Sequence, residues 1–169
     1  MNRHATLTMT ATTLGCLAVG LSASVSLAQQ KSLKEQLVGT WMLVSSNQVR
    51  PDGSKLRRFG VNPKGINVFD ATGRFFVMVA SADNSKVATR EPNETNSGGL
   101  IVESIAYYGT YTVNNVNVIN LHLEASTFPN QIGTDQKRTI TSLTADELTY
   151  SSSAAMPGAQ VHQVWSRTE

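Results

Sequence analysis

Short runs of alternating apolar and polar residues dominate the chain after residue 38, and turn sequences separate them. Alternation with a period of two is the pattern of a β-strand with one buried face. The runs predict strands at residues 40–49, 66–69, 74–80, 107–113, 116–125, 135–142, 148–153 and 161–167. Strands this short and evenly spaced, with no long amphipathic helix between them, predict an all-β antiparallel sandwich or barrel.

Three segments outside these strands predict other structure. Ser32-Leu33-Lys34-Glu35 fits a capping box, in which the serine hydroxyl caps the first turn of a helix and the glutamate reaches back. Gly39 then ends this short helix. Residues 98–106 have apolar side chains near helical spacing and predict a second short helix. Residues 81–96 have no apolar rhythm and predict a long surface loop.

The N-terminal residues predict a secretory signal peptide. Arg3 provides a positive start, the following apolar stretch is too short to span a bilayer, and Ser26-Leu27-Ala28 places small residues at the cleavage position. Cleavage there would separate a signal peptide, residues 1–28, from one mature domain, residues 29–169. We expect this domain to be secreted or periplasmic and to have no membrane span; a retained membrane anchor is the alternative.

The single cysteine and the charge balance exclude some classes of protein. Cys16 lies within the predicted signal peptide, so the mature domain would have no disulfide and no cysteine metal site. Gly15-Cys16 also resembles the end of a lipoprotein signal, although Thr13 stands where that signal has leucine. The chain carries 14 Lys and Arg against 12 Asp and Glu, which gives no basic footprint for nucleic acid.

Gly39-Thr40-Trp41 resembles the start of the first strand of lipocalins. In those barrels a short helix leads into Gly-x-Trp, the glycine bends the chain, the tryptophan plugs one end, and a basic residue of the last strand commonly covers the ring. The resemblance implies that Gly39 forms the bend, Trp41 the plug, and Arg167 the cover through a cation–π contact. A tryptophan packed in the core of a β-sandwich is the alternative.

Longer segments extend this resemblance over residues 37–167. The chain resembles the bacterial and fungal lipocalin-like domain family in "LVGTWMLVS", "NPKG", "YYGTYTV", "HLEASTFPNQIGTDQKR" and the final "VWSR", in that order. The resemblance implies a lipocalin-like barrel of about eight antiparallel strands with a short N-terminal helix. Some lipocalin-like barrels bind small hydrophobic molecules and some are cyclases or isomerases, so the fold alone does not decide the activity.

Strand 116–125 has one polar and one apolar face. His122 and Glu124 lie on the polar face, whereas Ile119, Leu121 and Leu123 lie on the other. The hydrophobic pattern alone favours an interior filled by the apolar face. The resemblance favours the opposite orientation, because the family motif has a His, a Glu and an Arg at the matching positions, which suits a polar site in the mouth of a barrel.

A hairpin paired at positions 126 and 134 would add two residues from the next strand to the polar face. We predict that four residues then project into the barrel near its open end: His122, Glu124, Gln136 and Arg138. Tyr107 and Tyr111 on the preceding strand would line the same cavity. In this orientation the apolar face of strand 116–125 points outward and needs a cover, either from residues 98–106 or from a second subunit in a homodimer.

This polar set suits the binding of an acidic group. Arg138 offers a two-pronged contact to a carboxylate, and His122 offers a second hydrogen bond. We expect an exported protein that binds a small, partly hydrophobic or amphipathic ligand with an acidic or carbonyl group, with no cofactor. One alternative is a cofactor-independent cyclase or isomerase that uses His122 as general base and Arg138. The other is a module that binds protein through residues 81–96.

Other chemistries have little support in the sequence. It contains no Gly-x-Ser-x-Gly elbow, no Walker loop and no Gly-x-Gly-x-x-Gly fingerprint. A metal site is not expected, because His122 and His162 are the only histidines after the predicted signal and a His–Glu pair on a strand is a poor ligand set.

Overall fold

The structure, a computed structural model, describes residues 31–82, 104–114, 116–154 and 156–168. In these ranges one short helix, α1 (Leu33–Leu37), precedes nine β-strands. The strands are β1 (Gly39–Val49), β2 (Lys55–Leu56), β3 (Lys64–Phe69), β4 (Arg74–Ala80), β5 (Ser104–Val113), β6 (Val118–Ser126), β7 (Asp135–Leu143), β8 (Glu147–Ser153) and β9 (Gln160–Arg167). Within this part of the chain, no helix is long and apolar enough to cross a membrane.

Eight of the strands form a closed antiparallel barrel. From β3 to β9 each strand pairs with the next, and β1 pairs with β3 on one side and β9 on the other. The two-residue strand β2 pairs with the far end of β1, where Gln48 lies opposite Leu56. Closure leaves no open edge in the ring of eight. The prediction of an all-β antiparallel barrel with a short N-terminal helix is therefore confirmed.

Alternation along the strands separates the core from the outer surface. In β4, for example, Phe75, Val77 and Val79 are buried inside the barrel, whereas Phe76 and Met78 are exposed on its outer wall. The interior nearest α1 is filled by large apolar side chains, and burial of each contributes about 1.5–3 kcal/mol. The barrel interior is therefore a packed hydrophobic core at the end nearest α1.

The helix and the last strand close this end of the barrel as predicted. Trp41 is fully buried, and the Arg167 guanidinium carbon lies 4.0 Å from the centre of its ring. Arg167 also donates hydrogen bonds to the carbonyl oxygens of Val38 (2.8 Å), Gln36 (2.5 Å) and Ala145 (2.6 Å). The arginine therefore covers the tryptophan and at the same time satisfies carbonyl groups that the short helix leaves free.

Gly39 allows this closure because of its backbone conformation and its lack of a side chain. Its φ is +141°, and a Cβ atom there would collide with the Arg167 guanidinium. The capping box that begins α1 is also present: the Ser32 hydroxyl accepts from the Glu35 amide at 3.2 Å, and the Ser32 amide donates to Glu35 Oε2 at 2.7 Å.

The prediction of a second helix over residues 98–106 is wrong for its last three residues. Ser104, Ile105 and Ala106 begin β5 and extend its ladder along β4, where Ile105 lies opposite Val79. Helical spacing was a poor guide here because the same residues also alternate, and the ladder with β4 decides the outcome. The predicted signal peptide and most of the predicted loop over residues 81–96 lie outside the described residues.

Closure by Trp41 and Arg167 makes a prediction about stability. Trp41→Ala should lower the free energy of unfolding by about 3–5 kcal/mol, because it empties a buried aromatic site. Arg167→Ala should cost less, about 2 kcal/mol, through lost charged hydrogen bonds and the cation–π contact. Arg74→Ala, at an exposed arginine on the outer wall, is the control and should cost below about 1 kcal/mol. Denaturant unfolding curves in which all three variants match the wild type would contradict the closure.

Candidate functional site

A cavity of about 350 Å³ occupies the end of the barrel opposite Trp41. Residues near the ends of β1, β4, β5, β7, β8 and β9 line it, together with Arg58 and Phe59 of the segment after β2. Its volume lies within the range of roughly 300–1,000 Å³ that is usual for small-molecule sites. The geometry therefore places a candidate ligand site in the barrel mouth.

The two sides of this cavity differ in chemistry. We call one side the polar wall, and it comprises Ser46, Gln48, Gln136, Arg138, Ser152 and Gln163. These residues come from β7, β8, β9 and β1, which are consecutive around the barrel, and Val161 is an apolar position among them. We call the other side the apolar wall, formed by Phe59, Val79, Ile105 and Tyr107; Arg58 and Gln131 also line the cavity. A ligand in the cavity meets hydrogen-bonding groups on one side and mainly hydrocarbon and aromatic surface on the other.

Arg138 is the one charged residue of the polar wall, and only 7% of it is exposed. Its guanidinium donates to Gln136 Oε1 at 2.7 Å, to the Tyr107 hydroxyl at 3.1 Å and to the carbonyl oxygen of Lys137 at 3.0 Å. All three acceptors are neutral. Among the described residues, no Asp or Glu side chain forms an ion pair with it. The cavity therefore contains a buried positive charge that no described carboxylate neutralises.

Arg138 is charged at physiological pH, because a guanidinium keeps its proton in proteins. Burial lowers the pKa of the guanidinium, and the neighbouring Tyr107 and Tyr150 side chains act in the opposite direction. Tyr150 is fully enclosed, and burial raises the pKa of its phenol, so the hydroxyl is neutral at physiological pH. Asn67 donates to the Tyr150 hydroxyl at 3.3 Å and supports it from the interior side.

A second polar contact lies on the polar wall between β1 and β9. The Gln163 side-chain amide donates to the Ser46 hydroxyl at 3.3 Å, and the two residues are 8% and 6% exposed. Ser46 faces inward because the pairing of β1 with β9 shifts register between Leu43 and Ser45. This β-bulge changes the phase of the alternation, so that Trp41 and Leu43 face inward before it and Ser46 after it.

The prediction that His122 and Glu124 project into the barrel is wrong. His122 lies on the outer wall, its side chain is 52% exposed, and its Nδ1 lies 2.8 Å from Asp135 Oδ1. Glu124 forms an ion pair with Arg74 at 2.7 Å on the same surface. Neither side chain lines the cavity, so neither reaches a ligand in it.

The register between β6 and β7 explains this error. His122 lies opposite Asp135 and not opposite Arg138, a shift of three residues from the predicted hairpin. An odd shift reverses the face of one strand relative to the other. The segment between the strands differs from the predicted simple hairpin, because it contains a short 3-10 helix, Pro129–Gln131, and the Gly133 amide donates to the Leu123 carbonyl at 2.7 Å.

The apolar face of β6 fills the interior instead. Ile119, Leu121 and Leu123 are 0–2% exposed, as the hydrophobic pattern alone would have it. The expected outward orientation of these three residues is therefore wrong. Since they are already buried inside the barrel, they do not need a second subunit to cover them. Burial of three large aliphatic side chains outweighs the burial of two charged or polar ones.

The inward orientation of Gln136, Arg138 and Tyr107 is as predicted, and their role in binding stays a prediction. Tyr111 also faces the interior, but it lies near α1 and not in the cavity, which corrects its expected position. Its hydroxyl donates to the Asp70 carbonyl at 2.8 Å, and burial, followed by the nearby Asp70 charge, raises its pKa to about 12. Tyr111 is therefore part of the packed core.

Sequence reasoning missed several members of the site, among them Ser46, Tyr150 and Gln163. Gln163 had a visible signal, because it alternates with the apolar residues Val161 and Trp165 and so shares their face. Ser46 had none, because its direction depends on the bulge in β1. Among the described residues, no group of three or more His, Asp or Glu side chains could hold a metal ion.

A closed antiparallel barrel with a helix at one end and a cavity at the other defines a lipocalin-like barrel, a fold typical of small-ligand binding. Residues 38–168 match the family model described as "Lipocalin-like domain", and the chain belongs to this family. No curated protein sequence matches the chain.

Several solved structures, all of designed barrels, are similar to the chain. A redesigned β-barrel matches with a TM-score of 0.43 and 14% identity over 80% of this chain and 95% of that chain. A de novo designed fluorescence-activating barrel matches with a TM-score of 0.41 and 10% identity over 80% of this chain and 96% of that chain. A redesigned barrel bound to DFHBI matches with a TM-score of 0.40 and 16% identity over 79% of this chain and 97% of that chain.

The orientation of β6 can be tested with two neighbouring residues. His122→Ala should change the free energy of unfolding by less than about 1 kcal/mol, because the His122–Asp135 contact is exposed. Leu121→Ala should cost about 2–5 kcal/mol, because Leu121 fills the interior. Urea unfolding of both variants measures the difference. A larger loss for His122→Ala than for Leu121→Ala would reverse the orientation.

Proposed function

We propose that the protein is an exported carrier that binds a small, partly apolar molecule through a carboxylate or similar acidic group in the barrel mouth. The single observation that carries this proposal is Arg138, a buried cation on the wall of a cavity with only neutral hydrogen-bond partners among the described residues. Export is supported by the sequence of residues 1–28 alone.

The energetics of burial favour an anionic ligand. A charge taken out of water loses hydration free energy, and neutral acceptors restore only part of it. A carboxylate within reach of the guanidinium would add a charge-assisted and potentially two-pronged hydrogen bond. The ligand would thus supply the opposite charge that no described side chain supplies.

The apolar wall accounts for the rest of the ligand. Phe59, Val79, Ile105 and the Tyr107 ring offer hydrocarbon and aromatic surface beside the guanidinium. Contact with such surface favours an aliphatic chain or a ring by about 25 cal/mol per Å² removed from water. A molecule with one acidic group and an apolar body therefore fits both sides of the cavity.

The cyclase or isomerase alternative has no support from this geometry. It required His122 and Arg138 to face one substrate, but the first lies on the outer wall and the second inside the barrel. We therefore propose a binding protein and assign no base.

Calorimetric titration tests the role of Arg138. The wild type should bind octanoate clearly more tightly than octanol, which has the same chain length and no charge. Arg138→Met should weaken octanoate binding by ~30-fold or more, which corresponds to the loss of roughly 2–5 kcal/mol when one partner of a buried charged contact is removed. It should leave octanol binding nearly unchanged.

The control is Arg74→Met, which makes the same change at an exposed arginine outside the cavity and should leave octanoate binding as in the wild type. Thermal unfolding of Arg138→Met should show a folded protein, because an apolar side chain of similar volume often replaces a buried ion without loss. Octanoate binding that is equal in Arg138→Met and the wild type would refute the proposal.

A further inference from the structure

The Ser46–Gln163 contact has more hydrogen-bonding capacity than its own bond uses. A glutamine side chain carries two donors and an accepting oxygen, and a serine hydroxyl donates once and accepts twice. Among the described residues, the 3.3 Å bond between them is the one side-chain hydrogen bond that either residue forms. Both residues line the cavity and more than nine-tenths of each is buried.

The unused hydrogen-bonding groups of this pair are open to the cavity, because neither residue has a fully buried side-chain polar atom that lacks a partner. An apolar pair of the same size at this position would offer a ligand no hydrogen bond, whereas this pair does. The remaining capacity of the pair faces the cavity, since both side chains are part of the polar wall. A ligand group that both donates and accepts would satisfy it.

The strand register places this pair near the acid-binding arginine. Ser46 lies opposite Gln163 in the pairing of β1 with β9, and Gln163 lies opposite Tyr150 in the pairing of β8 with β9. The Tyr150 hydroxyl is one of the two that neighbour Arg138. One small ligand can therefore contact the guanidinium and the Ser46–Gln163 pair together.

We propose that the ligand is a hydroxy acid, whose carboxylate binds Arg138 and whose hydroxyl binds the Ser46–Gln163 pair. This inference rests on the proposed function and adds to it the ligand class and two specificity-determining residues. A hydroxyl fits better than an oxo group, because it donates to the Gln163 carbonyl oxygen while it accepts from the Ser46 hydroxyl or the Gln163 amide. An oxo group only accepts.

The test uses three acids of one chain length: octanoate, 2-hydroxyoctanoate and 3-hydroxyoctanoate. Calorimetric titration of the wild type should show that one of the hydroxy acids binds about tenfold more tightly than octanoate, which is the gain expected from one net neutral hydrogen bond. Gln163→Leu should abolish this preference and leave octanoate affinity within about twofold. Ser46→Ala, a smaller change, should reduce the preference.

Gln160→Leu is the matched control, because it makes the same substitution on the same strand at an exposed position outside the cavity. It should keep the full preference, and thermal unfolding of each variant shows that it is folded. The hydroxy-acid inference is overturned if all three acids bind the wild type equally, or if Gln163→Leu and Ser46→Ala keep the full preference. The proposed function is judged separately, because it stands as long as octanoate binding depends on Arg138. Absence of binding by all three acids overturns both.

Discussion

The pairing of β1 with β9 is the interaction on which the rest of the structure depends. It joins the first and last strands of the barrel from Trp41 opposite Arg167 to Val49 opposite Gln160. This register sets Arg167 opposite Trp41, so the same strand pairing that closes the sheet also places the arginine over the tryptophan ring. Without it the sheet would have two open edges and no enclosed interior.

Closure at one end determines where a ligand can bind. Trp41 and the other large apolar side chains fill the barrel beside α1, so free volume is found at the opposite end. Because of the bulge after Leu43, β1 contributes apolar side chains to the closed end of the barrel and the inward-facing Ser46 to the cavity at the other end. The interior therefore changes from apolar to polar along its axis, and the polar part is the part that a ligand reaches.

Much of this fold was predictable from the sequence, because alternation is a local property. The bounds of β4, Arg74–Ala80, follow from the pattern alone, and the Trp41–Arg167 contact follows from the resemblance to lipocalins. The direction of His122 was not predictable in the same way, since it depends on the register between β6 and β7. That register results from the 3-10 turn in the connecting segment and from the burial of Leu121 and its neighbours, and neither is visible in the alternation of a single strand.

The chemistry of the site follows from how the protein solvates Arg138. A carboxylate from the chain would have stabilised the guanidinium but would also have cancelled its charge. The neutral oxygens of Gln136 and Tyr107 orient it and leave the charge available. Stability alone does not account for such an arrangement, because an apolar residue of similar volume is often neutral or favourable at a buried ionic position. A buried cation held by neutral groups beside an accessible cavity is therefore the observation that supports the proposal of an anionic ligand.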